Sequence, residues 1–148
     1  MEALYTIGYT KKSLKEFISR LKDAGVDCVV DVRLLNTSQL AGFAKRDDLE
    51  FLLEEGFDIR YVHMVDLAPS EEMLEEYKSG KDWDTYFERY TDLIHRRDMV
   101  VRFLEAAEEA GWKKPCLLCA EDTADRCHRR LLAEEIQEAT PGLEVEHL

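Results

Sequence analysis

The spacing of apolar residues changes several times along the chain, and each change marks a predicted strand or helix. Residues 3–8 form a short run of strand formers that ends in glycine, which predicts a first strand. Ser13 and Glu16 have the spacing of a capping box, and Gly25 is placed to end the helix that follows. Between these ends apolar residues recur at helical spacing: Leu14, Phe17, Ile18 and Leu21. The nearly continuous apolar stretch 26–33 is typical of a strand buried on both faces.

The rest of the chain continues to alternate helices with strands. Asp47 or Asp48 is predicted to cap a second helix that ends near Gly56, and residues 58–64 form a third strand. The later segments are a region of two or three helices, a fourth strand, a long helix and a last short strand: residues 69–111, 115–120, 125–139 and 143–147. This order predicts one α/β domain over residues 1–148, with a mostly parallel central sheet of about five strands and helices on both faces.

Polar side chains stand where the predicted strands end, while the strand interiors are apolar. In a parallel sheet these ends meet at one edge, and ligands bind there where the strand order reverses. We therefore expect one shared site that includes residues from four strand ends: Tyr9, Thr10, Asp31, Arg33, His63, Cys119 and Glu121.

The segment Cys127-His128-Arg129 opens the predicted long helix and completes this site. At 100° per residue His128 falls on the apolar face of the helix, and Arg129 lies at the edge of that face. The helix dipole favours a thiolate at Cys127, so Cys119, Cys127 and His128 are the candidate catalytic residues. We expect Cys119 or Cys127 to be a partly exposed thiol with a depressed pKa. The alternative is that His128 and both thiols are packing residues.

Three other motifs leave alternatives open. Asp31 and Arg33 form either an anion clamp or a structural ion pair that fixes the following loop. Cys116 and Cys119 have C-x-x-C spacing, but in a strand they point to opposite faces, so Cys116 is interpreted as a core residue. The aromatic residues of the region 83–90 are interpreted as core and interface residues.

Composition restricts the class of protein. The 148 residues carry a net charge of −12, which makes extended binding to DNA or RNA unfavourable. No apolar run is long enough to span a membrane and the first residues do not resemble a signal peptide, so a cytoplasmic protein is expected. In that compartment thiols stay reduced, so the four cysteines are expected to be core, catalytic or metal-binding residues and not structural disulfides.

Several segments, taken in order, resemble the domain of unknown function 488 family over essentially the whole chain. The matching segments are Tyr5-Thr6-Ile7-Gly8, Val30-Asp31-Val32-Arg33, Arg60-Tyr61-Val62-His63, Leu117-Leu118-Cys119-Ala120-Glu121, Cys127-His128-Arg129 and Leu132-Ala133. The resemblance implies an α/β domain with a shared site, and it supplies no reaction. The chain departs from the family at Tyr9, where histidine is common, and in segments 34–39 and 67–69.

Three functions remain open at this point. The first is an enzyme for a small anionic or nucleotide-like ligand, with a cysteine nucleophile, His128 as acid or base, and Arg33 and Arg129 as anion binders. The acidic, glycine-free loop 121–125 opposes a phosphate cradle of the phosphatase type. The second is a metal site formed by cysteines and histidines, including His63 if the fold brings it close. The third is a non-enzymatic binding module for a nucleotide, a nucleic-acid end or a protein. No cofactor is predicted.

Overall fold

The computed structural model describes residues 1–148 and contains a five-stranded sheet in which every neighbouring pair of strands is parallel. The strands are β1 (Ala3–Gly8), β2 (Cys28–Asp31), β3 (Arg60–His63), β4 (Pro115–Cys119) and β5 (Glu144–His147). Their order across the sheet is β3-β2-β4-β1-β5. The predicted α/β fold with a parallel sheet of about five strands is therefore confirmed.

Six α-helices connect the strands, together with short 3₁₀ and π-helical turns. The helices are α1 (Leu14–Ala24), α2 (Arg46–Phe51), α3 (Glu71–Gly80), α4 (Trp83–Arg96), α5 (Met99–Ala110) and α6 (His128–Ala139). The ends of α1 form as predicted: the Ser13 hydroxyl accepts from the Glu16 amide, and Gly25 adopts the left-handed conformation at φ 74°.

The start of α2 differs from the prediction. Lys45 is the residue that precedes the helix, and its side chain makes no capping hydrogen bond, so the prediction that Asp47 or Asp48 caps α2 is wrong. Both aspartates lie inside the first turn, where their charges interact favourably with the helix dipole. The helix α6 also begins later than predicted, at His128, with Cys127 as its N-cap residue.

The helices cover the two faces of the sheet and bury two separate apolar cores. One core packs α1 and α2 against one face, and the other packs α3, α4, α5 and α6 against the opposite face. Successive residues of β4 point alternately into the two cores, so Cys116 lies in the smaller core and Cys119 in the larger one. This arrangement confirms that Cys116 is a core residue, separated from Cys119 by the sheet.

The topology reverses beside β4. The chain after β2 runs to the face that carries α2, whereas the chain after β4 runs to the face that carries α6. Since β2 and β4 are neighbours, the two connections diverge and leave a crevice at their carboxyl ends. No helix in the structure is long and apolar enough to cross a lipid bilayer.

Candidate functional site

A cavity of about 160 Å³ lies in the crevice beyond the carboxyl ends of β2 and β4, and we call it the switch-point cavity. Its polar and sulfur-bearing wall residues are Arg33, Cys119, Glu121, Arg126, Cys127 and His128. The remaining wall is apolar or aromatic: Leu34, Leu35, Pro69, Leu74, Tyr77, Tyr86 and Ala120. The cavity therefore combines a few polar groups with a mostly apolar lining, as small-molecule sites usually do.

Cys119, Cys127 and His128 form a buried group on this wall, which we call the cysteine–histidine cluster. Cys119 ends β4, Cys127 precedes α6, and His128 is the first residue of that helix. The two sulfur atoms contact each other, and the ligand atoms of all three residues lie within 4.8 Å of one another. Each cysteine is only 2% exposed, so the expectation of a partly exposed thiol is wrong.

Arg129 lies beneath the cluster and contacts both of its sulfur atoms. Its Nη1 donates to the sulfur of Cys119 at 3.2 Å, to the sulfur of Cys127 at 3.6 Å and to the carbonyl oxygen of Glu121 at 2.7 Å. Its Nε donates to the hydroxyl of Thr6. The side chain is fully buried and does not line the switch-point cavity, so it acts on the cavity only through the cysteines and the loop after β4.

His128 is held in one orientation by two contacts. Its Nε2 donates to the carbonyl oxygen of Val32 at 3.0 Å, which leaves Nδ1 without a proton. Its ring packs edge-to-face against Tyr90, with ring centroids 5.3 Å apart. Burial lowers the pKa of His128 to about 4, and the nearby Arg129 charge acts in the same direction. The imidazole is therefore neutral at pH 7.

Asp31 and Arg33 form a buried ion pair behind the cavity wall. The Asp31 carboxylate accepts from Nε of Arg33 at 2.9 Å and from Nη2 at 2.8 Å, and it also accepts from Asn36 and Tyr61. Burial alone would raise the pKa of Asp31, but the hydrogen bonds and charge of Arg33 outweigh burial and hold the pKa below its ordinary value. Nη2 also donates to the carbonyl oxygen of Ala44, which fixes the loop after β2.

Asp31 and Arg33 therefore form the structural ion pair that was one of the two alternatives for this motif. The pair still leaves Arg33 able to contact a ligand. Arg33 lines the switch-point cavity, and its Nη1 is a buried donor with no hydrogen-bond partner in the protein. The guanidinium also lies over the ring of Tyr9, at 5.3 Å from the ring centroid.

Of the remaining predicted residues, Glu121 lines the cavity, whereas His63 and Thr10 do not. His63 bonds through Nε2 to the carbonyl oxygen of Arg33, and the Thr10 hydroxyl donates to the carbonyl oxygen of Ala120. Both residues therefore support loops and do not line the cavity. Glu121 does line it, with an exposed side chain. His63 is also outside the group of potential metal ligands, which consists of the cysteine–histidine cluster alone.

The apolar and aromatic half of the wall was not predicted from the sequence. Tyr86 was interpreted as a core or interface residue; it is 6% exposed and also lines the cavity. Leu35 is 74% exposed beside the cavity. The one signal that the sequence offered was the apolar pair Leu34-Leu35 directly after the predicted strand 26–33. Arg126 was missed because a single arginine in a polar loop carries no periodicity.

Comparison with known proteins identifies one family. The family model described as "Domain of unknown function DUF488" matches residues 13–136, which span α1, the whole sheet except β1 and β5, and most of α6. No curated protein and no solved structure matches the chain significantly. The cysteine–histidine cluster and the Asp31–Arg33 pair both lie inside the matched region, and the chain belongs to the DUF488 family.

Proposed function

We propose that the chain binds a small anionic ligand in the switch-point cavity. The observation that carries the proposal is that two arginines, Arg33 and Arg126, stand on the wall of a cavity located where the connections after two neighbouring parallel strands diverge. Crevices at this position are the usual ligand sites of open α/β sheets.

The charges on the wall favour an anion. Arg126 is exposed and forms no ion pair or hydrogen bond within the chain, so its charge is available to a ligand. Arg33 adds a guanidinium with one donor that the protein leaves unpaired. The N-terminus of α6 also opens here, and the side chain of its N-cap residue, Cys127, makes no capping hydrogen bond. Glu121 is the opposing charge on the same wall, and it would repel an anion placed beside it.

The volume and lining favour a compact ligand with an apolar or planar body. A cavity of about 150 Å³ holds a molecule of the size of benzene, and the switch-point cavity has about 160 Å³. Tyr77 and Tyr86 offer aromatic surface to such a body. A nucleotide exceeds this volume, so only part of it would enter. The net charge of −12 further opposes a long polyanion such as a nucleic acid.

Binding of simple probes tests the proposal. We expect inorganic phosphate and benzoate to bind saturably, detected by calorimetry and by shifts of the amide signals of residues 119–128, with benzoate tighter because it also fills the apolar part. Arg126→Gln should weaken binding by at least about 10-fold, since a hydrogen bond to a charged group contributes about 1.5–3 kcal/mol and each 1.4 kcal/mol is tenfold in affinity.

A matched control separates this effect from general loss of positive charge. Arg96→Gln removes an exposed arginine at the far end of α4, where Arg96 pairs with Asp92. It should leave probe affinity unchanged. Absence of saturable binding, or equal losses in the two variants, would overturn the proposal. Adenosine monophosphate serves as a third probe: affinity well above that of phosphate and benzoate would assign a nucleotide-like ligand to the same cavity.

A second candidate function is nucleophilic catalysis on the bound ligand by Cys119 or Cys127. Arg129 favours it, because this fully buried guanidinium has no carboxylate within ion-pair distance, and the only groups among its hydrogen-bond partners that can become anionic are the two thiols. Buried charges are normally paired, so negative charge on sulfur is the compensation that the structure offers.

The rate of alkylation by iodoacetamide, measured from pH 5 to pH 10 on chelator-treated protein, tests this candidate. We expect Cys119 or Cys127 to react at neutral pH faster than the other buried cysteines do, and Arg129→Met to remove this advantage. Cys28 and Cys116 are internal controls, because burial raises the pKa of both thiols, that of Cys28 to about 12. If Cys119 and Cys127 react as slowly as Cys28 and Cys116, a cysteine nucleophile is excluded and only the binding function remains.

A further inference from the structure

We propose that Cys119, Cys127 and His128 bind a divalent zinc-type metal ion through two thiolates and one imidazole, with the fourth coordination position open to the switch-point cavity. Their ligand atoms already lie within 4.8 Å of one another, on the wall of that cavity. Two cysteines and one histidine with an open position form a known type of catalytic zinc site. This inference goes beyond anion binding and does not depend on it.

The orientation of His128 suits a metal ligand. The carbonyl oxygen of Val32 can only accept, so the proton of the hydrogen bond belongs to Nε2 and the lone pair belongs to Nδ1. Metal-binding histidines commonly donate their second ring N–H to a carboxylate or a backbone carbonyl, which fixes the ring and its tautomer. Val32 therefore occupies the position of an outer-sphere partner.

The surroundings of the sulfur atoms favour thiolates over a disulfide. Apart from sulfur, Arg129 donates hydrogen bonds only to the neutral hydroxyl of Thr6 and the neutral carbonyl of Glu121. A disulfide would leave this buried guanidinium without a negatively charged hydrogen-bond partner. The Cα atoms of Cys119 and Cys127 are also 7.9 Å apart, whereas those of a relaxed disulfide are about 4.4–6.8 Å apart.

The charge balance then connects the metal to the cavity. Two thiolates and Arg129 alone leave the cluster with a net negative charge, and a divalent ion makes it positive. The open position of that ion would face the cavity that Arg33 and Arg126 also line. Soft thiolate and imidazole ligands select zinc over magnesium or calcium.

Metal titration of the full chain tests the inference. After treatment with a chelator and a reductant, the wild-type protein should bind one equivalent of Zn²⁺ by elemental analysis. Co²⁺ should give the visible absorption of a tetrahedral site and a thiolate charge-transfer band. Cys119→Ser and His128→Gln should each weaken Zn²⁺ binding by more than about 100-fold, beyond the 10–100-fold loss typical of outer-sphere partners. Cys116 is a buried cysteine on the other face of the sheet, so the Cys116→Ala variant should still bind one equivalent of Zn²⁺.

A second measurement needs no variant and covers the case in which a ligand variant fails to fold. Zn²⁺ should protect Cys119 and Cys127 of the wild-type chain from alkylation, as mapped by mass spectrometry. Three results would overturn the inference: no stoichiometric Zn²⁺, undiminished binding in Cys119→Ser, or a Cys119–Cys127 disulfide that persists in reductant. None of these results bears on anion binding when that binding is measured on chelator-treated protein with the Arg126 variant.

Discussion

We expect Gly8→Ala to destabilise the protein by at least about 4 kcal/mol, the range of a severe packing defect. A methyl group at this position would overlap the backbone carbonyl oxygen of Glu121 and would also approach Nη1 of Arg129 at 3.0 Å. The obstacle is backbone, so it cannot rotate away as a side chain can. Relieving the overlap displaces the loop after β4 and breaks the 2.7 Å hydrogen bond between Arg129 and Glu121. Urea unfolding of the variant measures the loss.

Gly80→Ala is the matched control for this substitution. A methyl group there meets no atom within 4 Å, and Gly80 is the last residue of α3. It should be neutral or stabilise the protein by up to about 1 kcal/mol, since alanine favours helix more than glycine does. Similar unfolding free energies for the two variants would show that the β4 loop moves freely and that Gly8 does not position the cysteine–histidine cluster.

Replacing Asp31 with asparagine should cost about 3–5 kcal/mol of unfolding free energy, the usual result of removing one partner from a buried ion pair. Asp31 is fully buried and accepts two hydrogen bonds from the Arg33 side chain. Asparagine keeps the shape but not the charge, and its amide group turns a donor toward the donors of Arg33, Asn36 or Tyr61. Urea unfolding at pH 7 measures the effect.

Asp92→Asn provides the control for the charge itself. Asp92 pairs with Arg96 on the surface of α4, with both side chains more than 60% exposed. Its loss should cost no more than about 0.5 kcal/mol, as for exposed helical ion pairs. A loss below about 1 kcal/mol for Asp31→Asn would mean that solvent reaches Arg33. It would also mean that the pair does not hold the loop after β2.

Local patterns were sufficient for most of the secondary structure. The β1 strand and α1 with both its caps follow from residues 3–25, because strand propensity and capping depend on neighbours within a few positions. The error at α2 has the same origin. Lys45 is an uncommon N-cap residue, and the preceding 3₁₀ turn, which ends at Ala44, leads the chain into the helix before either aspartate is reached.

The position of the candidate site was also predictable, but the orientation of its side chains was not. Asp31, Arg33, Cys119 and His128 follow from the rule that parallel strands end at one edge. Whether each side chain turns toward a ligand or toward another protein group depends on partners distant in sequence. His63 and Thr10 bond to backbone carbonyls of Arg33 and Ala120 instead of lining the cavity.

By itself, then, the sequence determined the alternation of strands and helices, the burial of β2 on both faces, and the edge where polar groups collect, because each depends on short-range periodicity. The tertiary structure decided the insertion of β4 between β2 and β1, the contact between Cys119 and Cys127, and the burial of Arg129 against Thr6, which is 123 residues away. These features depend on long-range packing: the strand order places the cysteine–histidine cluster beside the connection after β2. No local pattern encodes which strands become neighbours.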